Sequence, residues 1–157
     1  GLLDPTTGDL YTGDAAGVYV PEADELRPAT PPPDFDLDLA LASMDCMRQV
    51  APERLLFAHY GPVSAVESAL DRSEAVLRKW VEMVREARVL NMDLDHAVAM
   101  VRERTPITFA DDRAREGREA TWEFLSSTAA NVAGISRWLD QTEGPGSTSG
   151  DAASVGR

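Results

Sequence analysis

The chain has one cysteine in 157 residues, so no intrachain disulfide can brace it. That cysteine, Cys46, sits among Met44, Met47 and Val50 and reads as a structural thiol on or near a helix face. A catalytic thiol would need a nearby base that the sequence does not show. Histidine is nearly as scarce, with only His59 and His96. No apolar run approaches membrane-spanning length and no basic-then-apolar leader opens the chain, which reads as cytoplasmic. Positive charge is short as well: 15 Lys and Arg face 27 Asp and Glu, a net charge of −12. Nucleic acid and anionic membranes both require a basic face, so neither is expected as a partner. No Ser-His-Asp arrangement, Cys-x-x-Cys pair, phosphate-binding glycine loop or internal repeat is present. What remains, 43% hydrophobic and 27% charged, is an ordinary globular composition of a length that suits one domain with a core.

The pattern along the chain is α/β. "GLLDPTTGDLYTGD" (1–14) reads as a hairpin, in which Leu2–Leu3 and Leu10–Tyr11 flank a turn set by Pro5 and by a positive φ at Gly8. Residues 17–35, with prolines at 21, 28, 31, 32 and 33, read as one long connection. Loops of that length inside a domain are more often functional than idle. Asp34 or Asp36 then caps a helix with Leu37, Leu41, Met44, Met47 and Val50 along one side. "RLLFA" (54–58) is a buried strand, and strand, helix, strand is an α/β order. Helical spacing predicts a long helix to about Ala87, a short one capped by Asp93 and ending near Thr105, and a last one over 119–140. Trp80, Trp122 and Trp138 fall on apolar helix positions and are expected in the core. The Gly- and Ser-rich tail is expected to be disordered.

Asp14, in "YTGDAAG", and His59, in "LLFAHYGP", each follow a predicted strand. Read alone, the first is an ordinary turn residue and the second an ordinary structural histidine. Taken in order around the proline-rich loop and one helix, they resemble the C-terminal half of a metallo-β-lactamase-fold hydrolase, of the glyoxalase II-like and lactonase-like kind. "DPTTGDLYTGDAAG", "RPATPPPDFD", "LDLALASMDCMRQVAP" and "RLLFAHYGP" carry the resemblance, over about residues 1–90. "TAANVAGISRWL" adds a less specific likeness.

The resemblance implies the second half of an αββα sandwich over 1–63, an added helical region over 64–141, and a tail over 142–157. It also implies that Asp14 bridges two divalent metals and that His59 binds one of them. The metals would be Zn, with Fe or Mn compatible. A small-molecule ester, thioester or lactone would be attacked by a metal-bound hydroxide. Small neighbours, Gly13 and Ala15, leave room at the backbone. Tyr19 and Tyr60 are candidate substrate contacts, although either could simply pack its loop against the sheet. Residues from Leu70 to Trp80 are candidates for an acyl pocket.

The family's histidine-x-histidine-x-aspartate-histidine signature is absent, and so is a further histidine that normally lies shortly before the position of Gly1. His96, on a predicted helix among ordinary acids, reads as a surface or packing residue. Two ligands are too few for a catalytic centre, so these 157 residues are expected to be an inactive part of a longer enzyme. A half sandwich also leaves a sheet face and an edge uncovered, which predicts homo-oligomers or poor solubility. The alternative is a non-catalytic helical interaction or oligomerisation module that retains a relic of the fold.

Overall fold

The computed structural model describes residues 1–21, 23–58, 61–107, 123 and 126–144. It is a mixed α/β structure. Strands β1 (Leu2–Asp4) and β2 (Asp9–Gly13) form the expected hairpin, with Leu3 opposite Leu10 and Gly8 at φ +71° in the turn. Helix α1 (Leu37–Gln49) connects onward to β5 (Arg54–Phe57), which lies parallel to β2. A short antiparallel β6 (Pro62–Val63) completes a four-stranded sheet in the order β1-β2-β5-β6.

The connection over 17–35 is not a plain loop. Val18–Val20 (β3) pairs antiparallel with Glu25–Arg27 (β4) in a separate two-stranded sheet. The prolines obscure this hairpin in the sequence, because Pro21 and Pro28 sit just outside its two strands rather than within them.

Helix α2 (Val66–Val89) is followed by α3 (Leu94–Arg104), then by α4 (Thr128–Glu143). Asp36 and Asp93 cap α1 and α3 through Leu39 N–H and His96 N–H, both at 2.9 Å. The span predicted for the last helix is interrupted: Glu123 is helical, but Ser127 is the N-cap of α4, its side chain accepting from Ala130 N–H, so 126–127 are not helical. It also runs further. Thr142 and Glu143, expected in the tail, belong to α4, where Thr142 hydroxyl donates to Trp138 O at 2.9 Å and Glu143 pairs with Arg85. Residues 145–157 and Trp122 lie outside the described residues.

Two apolar clusters share α2. Its first half contributes Leu70 and Leu77 to a cluster with Leu10, Met44, Leu55 and Phe57 under the sheet. Its second half contributes Trp80, Val81 and Val84 to a cluster with Val101, Ile135 and Leu139. Phe35 and Leu37 touch both clusters, and Phe35 meets Trp138 edge-on at 5.8 Å. A domain boundary at 63–64 would therefore fall just before a helix that both clusters use. Cys46 departs from its sequence reading: it is exposed, because α1 buries Met44 and Met47 on a face that Cys46 does not share. No helix among the described residues is long and apolar enough to cross a membrane.

Candidate functional site at the strand ends

The parallel ladder between β2 and β5 pairs Gly13 with Phe57, after a register shift between Tyr11 and Gly13. Asp14 is thus the first residue past the C-terminal end of one strand, beside the end of its parallel neighbour. Open α/β sheets place ligands at such carboxyl ends. Gly13 adopts φ +56° with no atom within 4 Å of where a Cβ would stand, so the backbone before Asp14 is both turned and uncrowded. Thr12 fixes the strand end from below: its hydroxyl is buried and contacts Gly13 O at 3.0 Å and Leu56 O at 3.3 Å. Asp14 O accepts from Gly17 N–H at 2.9 Å, closing the turn that carries the exposed carboxylate.

Two cavities meet Asp14. One, of about 220 Å³, has Ala29 and Pro31 of the proline-rich segment on one side and Ser127, Ala130 and Asn131 on another. The second, of about 70 Å³, includes Ala16, Thr30, Met44 and Ser73. Ser73 Oγ is buried and has no hydrogen-bond partner among the described residues.

The proline-rich wall is strapped to α4. Thr30 N–H donates to Asn131 Oδ1 at 2.7 Å, and Asn131 Nδ2 donates to Pro28 O at 2.9 Å and to Ser126 Oγ at 3.3 Å. All of these groups are buried, so each bond satisfies a polar atom that water cannot reach. Gly134 permits the approach, since a Cβ there would stand 1.7 Å from Thr30 O. Asn131 and Ser127 escaped the sequence reading, because nothing in "TAANVAGISRWL" marks a residue 117 positions beyond Asp14 as its neighbour; only the fold brings them together.

Tyr19 packs its ring on Phe57, with centroids 5.9 Å apart, and its hydroxyl donates to Asp24 Oδ1 at 3.0 Å. Burial, then the Asp24 carboxylate, push the Tyr19 hydroxyl above its ordinary pKa. Arg72, then the Tyr19 hydroxyl, holds Asp24 below the usual carboxylate range. Tyr19 therefore braces the β3–β4 hairpin against the sheet, its hydroxyl already engaged. His59 and Tyr60 lie outside the described residues. His96 is exposed at the start of α3, its Nδ1 2.7 Å from Asp93 Oδ1.

Among the described residues, no group of three or more His, Cys, Asp and Glu side chains is arranged to hold a metal ion. The described donors at the strand ends therefore do not make a metal centre by themselves. No family model, curated protein or solved structure matches the chain.

Proposed function

We propose that this chain is the C-terminal part of a metallo-β-lactamase-fold hydrolase, with Asp14 and His59 contributing two ligands to a dinuclear metal site. The observation that carries this reading is the register of the parallel ladder. Gly13 pairs with Phe57, so Asp14 follows the end of one strand beside the end of its parallel neighbour, the strand after which His59 comes in the sequence. An aspartate and a histidine there are apt donors for Zn, Fe or Mn. On this reading the remaining ligands come from outside the described residues, among which no group of three or more donors is arranged for a metal. Such metals, when bound, acidify water and polarise carbonyls, which suits cleavage of an ester, thioester or lactone.

This chain's own share in that activity is positional. The φ +56° turn at Gly13 presents the carboxylate, Thr12 anchors the strand end, and the strap at Thr30–Asn131 fixes one side of the 220 Å³ cleft. The outer face of the sheet, which no described element covers and where Leu2 is 70% and Tyr11 48% exposed, agrees with half of a sandwich. That same face also favours a second reading, an association module in which the apolar surface meets a partner.

Metal analysis of the purified full-length protein separates the two. The hydrolase reading expects about two equivalents of transition metal. Asp14→Ala should lower metal content and abolish turnover of a thioester and lactone panel, with the far-ultraviolet spectrum retained. A metal-free protein, or an Asp14→Ala variant with full metal content, would overturn it.

A further inference from the structure

The largest concentration of positive charge around any described cavity lies away from Asp14. A cavity of about 360 Å³ opens between β4, α2 and the end of α3. Its lining shares no residue with either cavity beside Asp14. Four cations line it, Arg27, Arg72, Lys79 and Arg104, against a single carboxylate, Glu25. In a chain of net charge −12, that local excess runs against the whole molecule.

The three arginines are already held by carboxylates that do not line the cavity. Arg27 lies 3.6 Å from Glu123, Arg72 contacts Asp24 at 3.0 Å, and Arg104 reaches Glu86 with two contacts. These pairs fix the guanidinium groups in place and largely offset their charge. Lys79 differs. It makes no hydrogen bond or ion pair with any described residue, and it is the sole lysine in a chain with fourteen arginines. A point charge on a flexible stem, unlike a paired guanidinium, is free to follow an incoming anion.

The rest of the lining is apolar but for Thr105, whose hydroxyl donates to Val101 O at 2.7 Å. Ala75, Val76 and Trp80 share the α2 face with Lys79, and Leu26 and Pro106 stand among them. Arg27 lies over the Trp80 ring, 5.9 Å from its centroid, so the aromatic floor is held in place as well. A volume of 360 Å³ is at the lower end of the range for small-molecule sites.

We infer that this cavity binds a small organic anion, a carboxylate or phosphate monoester on a short apolar body, with Lys79 as its mobile charge partner. The alkyl part would lie on Val76, above the buried Trp80, and the anion at the Lys79 ammonium, with the paired guanidinium groups as further N–H donors around it. The resemblance offers the stretch Leu70–Trp80 as an acyl pocket, but the inference does not rest on the hydrolase reading: the cavity shares no lining residue with those beside Asp14 and is read as binding without turnover.

The uniqueness of Lys79 gives a direct probe. Reductive methylation with ¹³C-formaldehyde labels amines, and the Lys79 signal is assigned as the one missing from Lys79→Gln. Hexanoate, hexyl phosphate, hexanol and inorganic phosphate are then titrated separately, with calorimetry on the unlabelled protein. Saturable shifts of the Lys79 signal by hexanoate or hexyl phosphate are expected, and their order tells which headgroup is preferred. Hexanol should leave the signal in place, and inorganic phosphate should bind at least about tenfold more weakly than hexyl phosphate. Lys79→Gln should weaken the better ligand about tenfold by calorimetry with an unchanged melting temperature. Val76→Trp, which narrows the cavity, should remove the advantage of hexyl over inorganic phosphate. Equal affinity for hexanol, no binding of either hexyl anion, or unchanged affinity in Lys79→Gln would overturn the inference.

Discussion

At the scale of single residues, the tightest surroundings of any described glycine are found where α4 meets the proline-rich segment. A Cβ on residue 134 would stand 1.7 Å from Thr30 O and 2.9 Å from Thr30 C. Neither neighbour can yield locally, since Thr30 is held by Asn131 on one side of the contact and Pro31 follows on the other. The helix would have to lift, and lifting it opens the buried bonds from Asn131 to Pro28 O and Thr30 N–H. Gly134→Ala ordinarily favours a helix by up to about 1 kcal/mol. Here it should destabilise the fold by about 3 kcal/mol, a cost typical of overpacking a tight contact. Urea denaturation measures this, and a neutral or stabilising result would show that the strap is not tight. Asn131→Ala probes the same contact from its polar side. It leaves Thr30 N–H buried without its partner and Pro28 O with only the longer bond from Ser126 Oγ, and should cost about 2 kcal/mol.

At the scale of elements, strand pairing depends on a charged contact that the hydrophobic pattern does not reveal. Asp9 and Arg54 are register partners on β2 and β5, and the guanidinium grips the carboxylate at 2.6 and 2.7 Å. The Arg54 hydrogen bonds hold Asp9 below its ordinary value of 3.8, against the opposing effect of desolvation. A carboxylate depressed in the folded state contributes stability that is fully present above the unfolded pKa. That contribution is lost as pH falls from about 3.8 through the lower folded value. The melting temperature should therefore drop between pH 5 and pH 3, and Asp9→Asn should flatten part of the drop while lowering stability at pH 7. Parallel slopes in the two proteins would remove Asp9 from the account.

The elements themselves were legible where period and caps agreed. The β1–β2 hairpin, α1 behind Asp36 and α3 behind Asp93 follow from turn chemistry and capping side chains. The β3–β4 pair was hidden because three-residue strands between prolines have too few positions to show alternation. The start of α4 was hidden for a different reason. Trp122 and Leu125 extend its apolar spacing N-terminally, yet Ser127 caps the helix. Of the candidate site, the sequence carried the strand-end aspartate, but the strap residues Thr30 and Asn131 lie 101 positions apart and carry no local signal.

At the scale of the whole molecule, the described residues cover the sheet on one side only. Leu10, Leu55 and Phe57 point into the cluster with α1 and α2, whereas Leu2 and its register partner Tyr11 face outward and are exposed. Strand β1 ends the sheet, so its free edge adjoins that face. Around the corner, Leu39 and Val50 of α1 and its C-terminus are exposed at 68% and 47%, near a shallow cavity of about 370 Å³ that also includes Gly1 and Cys46. Apolar surface gathered at an open edge, rather than scattered, is what drives association. Withdrawing one such leucine from water is worth up to about 2 kcal/mol, so a few of them suffice for self-association. The high negative charge opposes association at low salt and is screened as salt rises. The chain should consequently sediment as a concentration-dependent oligomer, more so in 0.5 M than in roughly 0.05 M salt, where the Debye length is longer. Leu2→Lys together with Leu39→Glu should shift it toward monomer by at least about tenfold in dissociation constant, without lowering the melting temperature of the dilute protein. A monodisperse monomer at every concentration and salt would mean that the outer face is compatible with water as it stands, and that neither half-sandwich nor association module describes it.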